Sequence, residues 1–301
     1  MIPPGKRATS LKELQAIRSR FDPSESIAHG LSYQAEPSDV FIATYPKCGT
    51  TWLQQIMHCL RSNGDMDYPE ITAVIPWLEM ALVMGIEPTA APPAEPRIFK
   101  THLSFERIPK GGRYVHMIRD PEDALVSMYH FHEGWFFEPG SITLEDYAIE
   151  QFLAGGRSGN YWQFQASWWP HRADPDVLYL AYEHALKEPR KTIERIAAFL
   201  GIESNERLLT LTEEHSSLAF MKRHAGRFDD NLWRAATQRF HRLPEDSTTT
   251  KVRNGKAGEG KIRLSDDVRA ALQHEWDKEL RHRFGLASYP ELCEALLGGS
   301  Q

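Results

Sequence analysis

The chain has 301 residues, 41% hydrophobic and 25% charged, the balance of a folded globular protein rather than a disordered or membrane-embedded one. Its net charge of −6 argues against bulk binding to nucleic acid or an anionic membrane surface, while leaving room for one local basic pocket. Three scattered cysteines, Cys48, Cys59 and Cys293, form neither a disulfide framework nor a zinc motif and fit reduced thiols in a cytoplasmic setting. The N-terminal residues hold no apolar run of signal-peptide length, and no segment reaches the length of a membrane span.

Taken in order, residues 1–39 read as a peripheral N-terminal segment: a polar start, a short helix over 11–20 and a turn at Asp22-Pro23-Ser24. Val40–Thr44 reads as a short buried strand, YPKCGTT (45–51) as a tight loop, and Trp52, Ile56, Met57 and Leu60 follow at helical spacing. Residues 71–84 pattern as a helix, and the proline-dense 87–96 as a loop. Residues 97–101 and 114–118 read as second and third strands; Pro121 opens a helix to about residue 131, and Thr143 caps another over 144–153. An aromatic helix over 161–169, a fourth strand over 177–182 and an amphipathic helix over 189–200 stopped by Gly201 follow. Helical patterning returns at 205–212 and 217–224. Residues 245–261 carry no apolar period, so they are either disordered or a loop ordered by a ligand. Ser265 caps a last long helix over 266–284. Short apolar strands alternating with helices predict one α/β domain, a mainly parallel sheet flanked by helices.

In such sheets ligands bind at the carboxyl ends of the strands. The first strand delivers Lys47, the second Lys100-Thr101-His102, and the third Arg119, with Ser127 two turns into the next helix. Three strand ends that each carry a basic residue make a cationic pocket in an acidic protein, suited to a ligand with two separated anionic groups. The loop between strand and helix also aims backbone N–H groups and a helix N-terminus at an anion, although a plain strand-to-helix turn with a surface lysine has the same pattern and no Walker A sequence is present. Lys47 and the helix N-terminus would lower the pKa of Cys48, although the loop position requires only a small residue, which argues against a catalytic thiol. His102 has the pKa range for acid–base work near neutrality.

These residues resemble a known family. TYPKCGTTW (44–52) is similar to the 5′-phosphosulfate loop TYPKSGTTW of the cytosolic-type sulfotransferases, with Cys48 in place of serine. RDPEDALVSMYHF (119–131) resembles that family's 3′-phosphate motif, KTHL (100–103) the segment of its catalytic histidine, and YLAYE (179–183) the strand whose tyrosine contacts adenine. RNGKAGEGK (253–261) more loosely resembles the closing loop RKGxxGDWK. The resemblance implies a P-loop-like nucleotide-binding architecture and a donor, 3′-phosphoadenosine-5′-phosphosulfate (PAPS), whose sulfuryl group passes to a hydroxyl or amine of a small, hydrophobic or phenolic acceptor.

By the same resemblance, Lys47, Cys48, Gly49, Thr50 and Thr51 would hold the 5′-phosphosulfate, Arg119 and Ser127 the 3′-phosphate, and Trp52 and Tyr182 the adenine. Arg253, Asn254 and Gly255 would close over the 3′-phosphate from a mobile loop at 245–261. His102 would act as base, and Lys47 with Lys100 would stabilise the leaving phosphate without a metal. Asn254 stands where the family has lysine, Gly260 where it has tryptophan, which loosens the lid, and Leu218 where an aromatic flanks adenine; no copy of the C-terminal dimer motif is evident. A monomer or weak homodimer is expected, with no nucleic-acid or membrane partner. Acceptor-pocket candidates are Trp77, Met80, Met84, Phe105, Phe131, Trp135, Phe136, Phe137 and Trp233. Two other readings are a P-loop-type kinase using ATP and Mg²⁺ and a non-catalytic nucleotide-binding protein.

Overall fold

Val40–Thr44 forms strand β1, and all five residues are buried. β2 (Ile98–Thr101), β3 (Arg113–Ile118) and β4 (Val177–Ala181) join it in a parallel sheet of order β2-β1-β3-β4. The computed structural model describes residues 3–156 and 159–298. The helices that matter most to the site are α1 (Thr50–Ser62), α2 (Pro121–His132), α3 (Tyr161–Trp168), α4 (Pro189–Leu200), α5 (Asn231–His241) and α6 (Asp266–Trp276).

Successive strand residues point to opposite faces, and here both faces are covered. Val40 and Ile42 pack with Val115, Met117 and Leu180 against Leu53 and Ile56 of α1 and Ile193 and Ile196 of α4. Phe41 and Ala43 face the other layer with Phe99, Tyr114 and the α3 residues Tyr161, Phe164 and Trp168. The Phe41 ring stacks between those of Phe99 and Tyr114, each at 5.6 Å. The result is the single α/β domain expected from the alternation of strands and helices. Because the chain runs from β1 to β2 on one side and then crosses to β3 on the other, a crevice opens at the carboxyl end of β1.

Four expectations change. Residues 71–84 are not one helix: Pro76 divides them into short turns at Ile71–Val74 and Leu78–Met80. Proline has no N–H and disfavours a helical preceding residue, and Ile75 adopts φ −125°, ψ 86°. The extended stretch lies along β2, where Lys100 N donates to Pro76 O at 2.8 Å and Trp77 pairs with Lys100. The segment over 1–39 is not peripheral. Ala8, Leu14 and Ile17 are fully buried, and Ala8 is bonded through its main chain to Phe136 and Glu138; residues 1–2 lie outside the described residues.

The loop over 245–261 ends in a short helix, Glu259–Arg263, and one carboxylate fastens it to α2: Asp123 accepts from Gly258 N at 2.7 Å and Gly260 N at 2.8 Å. Gly260 therefore does not loosen this loop. A Cβ there would lie 2.5 Å from Cβ of Glu122, so only glycine permits the approach. Finally, the sequence reading gave no helix over α5 or over Tyr289–Gly298. Among the described residues no helix is long and apolar enough to cross a membrane.

Candidate functional site

The parallel sheet brings the ends of β1, β2, β3 and β4 to one edge, where a cavity of about 900 Å³ opens. Lys47, Gly49, Thr50, Thr51 and Trp52 line it from the β1–α1 turn. Lys100 and His102 line it from the end of β2, Arg119 and Ser127 from the β3–α2 corner, Tyr182 from beyond β4, and Arg253, Asn254 and Gly255 from the loop. All the expected site residues except Cys48 border this one cavity.

The turn is bent by two left-handed residues, Lys47 at φ 71° and Gly49 at φ 87°. A Cβ on Gly49 would meet Met117 Sδ at 2.7 Å and the Tyr182 ring at 3.0 Å, so glycine is required both for conformation and for space. The Thr50 hydroxyl is bonded to that of Thr44 at 2.6 Å, which ties the helix start to the strand end. Cys48 points into the core and is fully buried. Burial pushes its thiol up to about 12, which outweighs the pull of Lys47 and the helix start and leaves no reactive thiolate there.

The Lys47 ammonium lies 4.1 Å from the centroid of the Phe131 ring. Burial, then the field of Lys251, bring it down to about 7; Arg119 and Arg253 act in the same direction and Asp230 against it. Arg119 donates from Nη1 to Lys47 O at 3.0 Å, sits 4.6 Å from the Tyr182 ring centroid and approaches Asp123 at 3.9 Å. Its Nε is buried without a partner, a guanidinium N–H that an anion in the cavity would satisfy. Asp120, next in the chain, has a structural role. It is the N-cap of α2, and its carboxylate accepts from Glu122 N at 2.9 Å. Trp52 donates its indole N–H to Ser216 O at 3.0 Å and meets the Tyr182 ring edge-on at 5.8 Å.

His102 is held at three points. Its backbone N–H donates to Glu79 Oε1 at 2.7 Å, its Nδ1 lies 2.7 Å from Thr44 O, and the Trp77 ring meets it edge-on at 5.2 Å. A carbonyl can only accept, so Nδ1 carries the proton and Nε2 keeps a lone pair. Burial is the main cause that brings its pKa down to about 3, below the near-neutral range expected from the sequence, so the ring is neutral at pH 7 with the Nε2 lone pair unprotonated. Glu79, missed in the sequence, is buried and its carboxyl is raised by burial.

Two further residues escaped the sequence reading. Lys100 Nζ lies 3.3 Å from Asp230 Oδ1 and 3.4 Å from Thr72 Oγ1, and Lys251 Nζ reaches the same Asp230 oxygen at 2.5 Å. Burial brings Lys100 down to about 8. The two lysines hold the Asp230 carboxyl well below the usual range despite its burial. No motif or spacing signals this pairing, since the partners come from separate parts of the chain. In the loop, Arg253 pairs with Glu259, Asn254 donates to the same carboxylate at 3.4 Å, and Gly255 at φ 59° packs against Leu218. Of the acceptor-pocket candidates, Trp77, Met80, Phe131, Trp135, Phe136 and Trp233 line the cavity. Phe137 is core and Phe105 stacks on His171 at 3.4 Å; neither borders the cavity, nor does Met84. Among the described residues no cluster of His, Cys, Asp or Glu could hold a metal ion.

The family model for the sulfotransferase domain matches residues 37–284. Sulfotransferase 1B1 of Canis lupus familiaris is 32% identical over 76% of this chain and 79% of its own. Sulfotransferase 1B1 of Mus musculus is 35% identical over 63% of this chain and 67% of its own. Among solved structures, mouse sulfotransferase SULT7A1 complexed with PAP superposes with a TM-score of 0.65 at 21% identity, over 91% of this chain and 94% of that one. Retinol dehydratase in complex with androsterone and the inactive cofactor PAP gives 0.68 at 22% identity, over 90% and 86%. At those identities the structural likeness speaks for the fold, and the sequence matches carry the family. The chain belongs to the sulfotransferase domain family and is a sulfotransferase enzyme.

Proposed function

We propose that the chain transfers the sulfuryl group of PAPS to a hydroxyl, or an amine, of a small hydrophobic or phenolic acceptor. The observation that carries this reading is the convergence of Lys47, His102 and Arg119, each from the end of a different strand, on one cavity. The donor supplies an activated sulfuryl group. The residues present fit it. Loop N–H groups and the side chains of Lys47 and Thr51 meet the 5′-phosphosulfate, with Thr50 bracing the turn. Arg119, with its unpartnered Nε, and Ser127 take the 3′-phosphate. Trp52 and Tyr182 flank the adenine, and Arg253, Asn254 and Gly255 cover the site.

His102 accepts the acceptor's proton at Nε2 as the acceptor oxygen attacks sulfur in line. The bond from Nδ1 to Thr44 O fixes the tautomer that permits this. Lys47 and Lys100 stabilise the charge left on the phosphate oxygen, and the aromatic wall of Trp77, Phe131 and Trp233 receives an apolar acceptor and excludes water. The reading extends to a cytoplasmic protein acting as a monomer or weak homodimer without nucleic-acid or membrane partners. The net charge of −6 supports the first of these exclusions.

The test is turnover of PAPS with a panel of phenols and alcohols by the parent and by His102→Ala. The variant is expected to lose about 10²–10⁴-fold in kcat and to keep its affinity for adenosine 3′,5′-bisphosphate within about twofold. Full turnover in the variant refutes the assigned base.

A further inference from the structure

We propose that Lys251 is a third cation of the transfer centre, brought there by the loop over 245–261, and that Asp230 is the residue that positions it. The inference rests on the sulfuryl-transfer reading and adds to it a residue that the resembling motifs do not contain.

Charge bookkeeping at the cavity wall makes the first argument. Asp230 Oδ1 lies 3.3 Å from Lys100 Nζ. Were these two alone, one carboxylate would cancel one ammonium, and Lys100 would offer an incoming anion no net charge. Lys251 Nζ on the same oxygen, at 2.5 Å, restores one net positive charge to the trio. With Lys47, the wall then faces the donor with two. All three side chains are buried or nearly so, at 2%, 6% and 11% exposure for Lys100, Asp230 and Lys251, so solvent screens their field little. Each ammonium has three N–H donors. Lys251 can keep its bond to Asp230 and still donate to a sulfuryl or bridging oxygen.

The second argument is that the chain is built to hold Lys251 here. Asp229 and Asp230 grip it twice: Asp229 Oδ1 accepts from Lys251 N at 2.9 Å, and Asp230 takes the side chain. Asp230 stands at the N-cap of α5, where an aspartate ordinarily accepts from the helix N–H groups. It makes no such bond. Its backbone is instead left-handed, at φ 34° and ψ 36°, a conformation that is uncommon for a residue with a side chain. The carboxylate is turned from capping its helix to pairing two lysines in the cavity. The groups that share this field are Lys47 and Arg119 from the ends of β1 and β3, His102 from β2, Glu79 behind His102, and Arg253 farther along the loop.

Lys251 therefore differs from Lys47 and Lys100 in how it arrives. Those two are fixed on the sheet edge, whereas Lys251 is in place only when its loop lies against Asp229 and Asp230. Assembly of the full cationic centre is thereby tied to loop closure.

The experiment measures PAPS turnover across pH 6–9, and bisphosphate affinity, in the parent, Lys251→Met, Lys251→Arg, Asp230→Asn and the double variant Asp230→Asn/Lys251→Met. Lys251→Met is expected to lower kcat about 10²–10³-fold, as removal of one charge-stabilising donor does. At pH 7 it should leave affinity for the bisphosphate, which lacks the sulfuryl group, within about twofold, and that binding also reports that the variant has folded. Lys251→Arg recovers most of the rate. Asp230→Asn moves the alkaline limb of the rate profile to lower pH, because the lysines lose their counter-charge. The double variant is no worse than the poorer single, the non-additivity of residues acting through each other. Parent-like kcat and pH profile in Lys251→Met, or additive losses in the double, overturn the proposal while leaving the sulfotransferase reading intact. A parent that transfers sulfate to no acceptor overturns the parent reading and this one with it.

Discussion

Binding of adenosine 3′,5′-bisphosphate should weaken steeply as pH rises from 7 to 9. The perturbed group is Lys47, brought down to about 7 by burial and by the neighbouring cations Lys251, Arg119 and Arg253. An anion binds the protonated ammonium, so affinity tracks the protonated fraction. That fraction is about one half at pH 7 and about one hundredth at pH 9, so Lys47 alone accounts for a loss of about 50-fold. Lys100, at about 8, steepens the upper end. The ligand contributes little, since its phosphates are already dianionic above their second pKa of about 6.

Isothermal titration calorimetry in two buffers of different ionisation enthalpy reads both quantities. Proton uptake through Lys47 should rise from about one half per ligand at pH 7 towards about one at pH 9, with Lys100 adding to it at the upper end. Lys47→Met should remove most of the slope. The sign for stability follows from the same linkage. Lys47 has a lower pKa folded than unfolded, so the unfolded chain holds more protons between pH 7 and 10, and this lysine's cost to stability is relieved as pH rises through that window. A flat affinity between pH 7 and 9, with no buffer-dependent heat, refutes the argument.

Arg119→Ala should cost the bisphosphate about 10–100-fold in affinity and leave adenosine 5′-monophosphate nearly unchanged. Equal losses for the two ligands would mean that Arg119 does not read the 3′-phosphate. Gly49→Ala places a Cβ 2.7 Å from Met117 Sδ in a backbone at φ 87°. It should destabilise the fold by about 1–3 kcal/mol and weaken bisphosphate binding, as read by a thermal melt and a titration; parent-like values in both would show that the turn relaxes without cost.

Much of the site was legible because short apolar strands announce their own ends. The residues just after each strand in a parallel sheet fall on one edge, which groups Lys47, His102 and Arg119 from the sequence alone. Local chemistry was also readable where one residue decides it, as with Pro121 at the start of α2 and Gly201 at the end of α4. What escaped depends on partners distant in sequence. Residues 1–39 look peripheral because nothing local shows Ala8 bonding to Phe136 and Glu138. Pro76 was the local clue that residues 71–84 could not form one helix, and the apolar pattern around it masked the break. Asp230 and Lys251 pair only because a left-handed turn aims one of them inward. The direction of the Cys48 pKa escaped for a different reason: its sequence neighbours are cationic, but its side chain points into the core, and desolvation outweighs them.

The burial of Cys48 has a practical side. Burial pushes Cys48 and Cys59 up to about 12 and Cys293 up to about 11, and all three thiols are buried. The folded chain is therefore silent to thiol-directed reagents at neutral pH, where the thiolate fraction is at most about 10⁻⁴. One cysteine introduced at exposed Lys256, on the loop that carries Lys251, becomes the single labelling position. A spin label or fluorophore there tests whether the loop closes over a bound ligand, with no native residue to remove first.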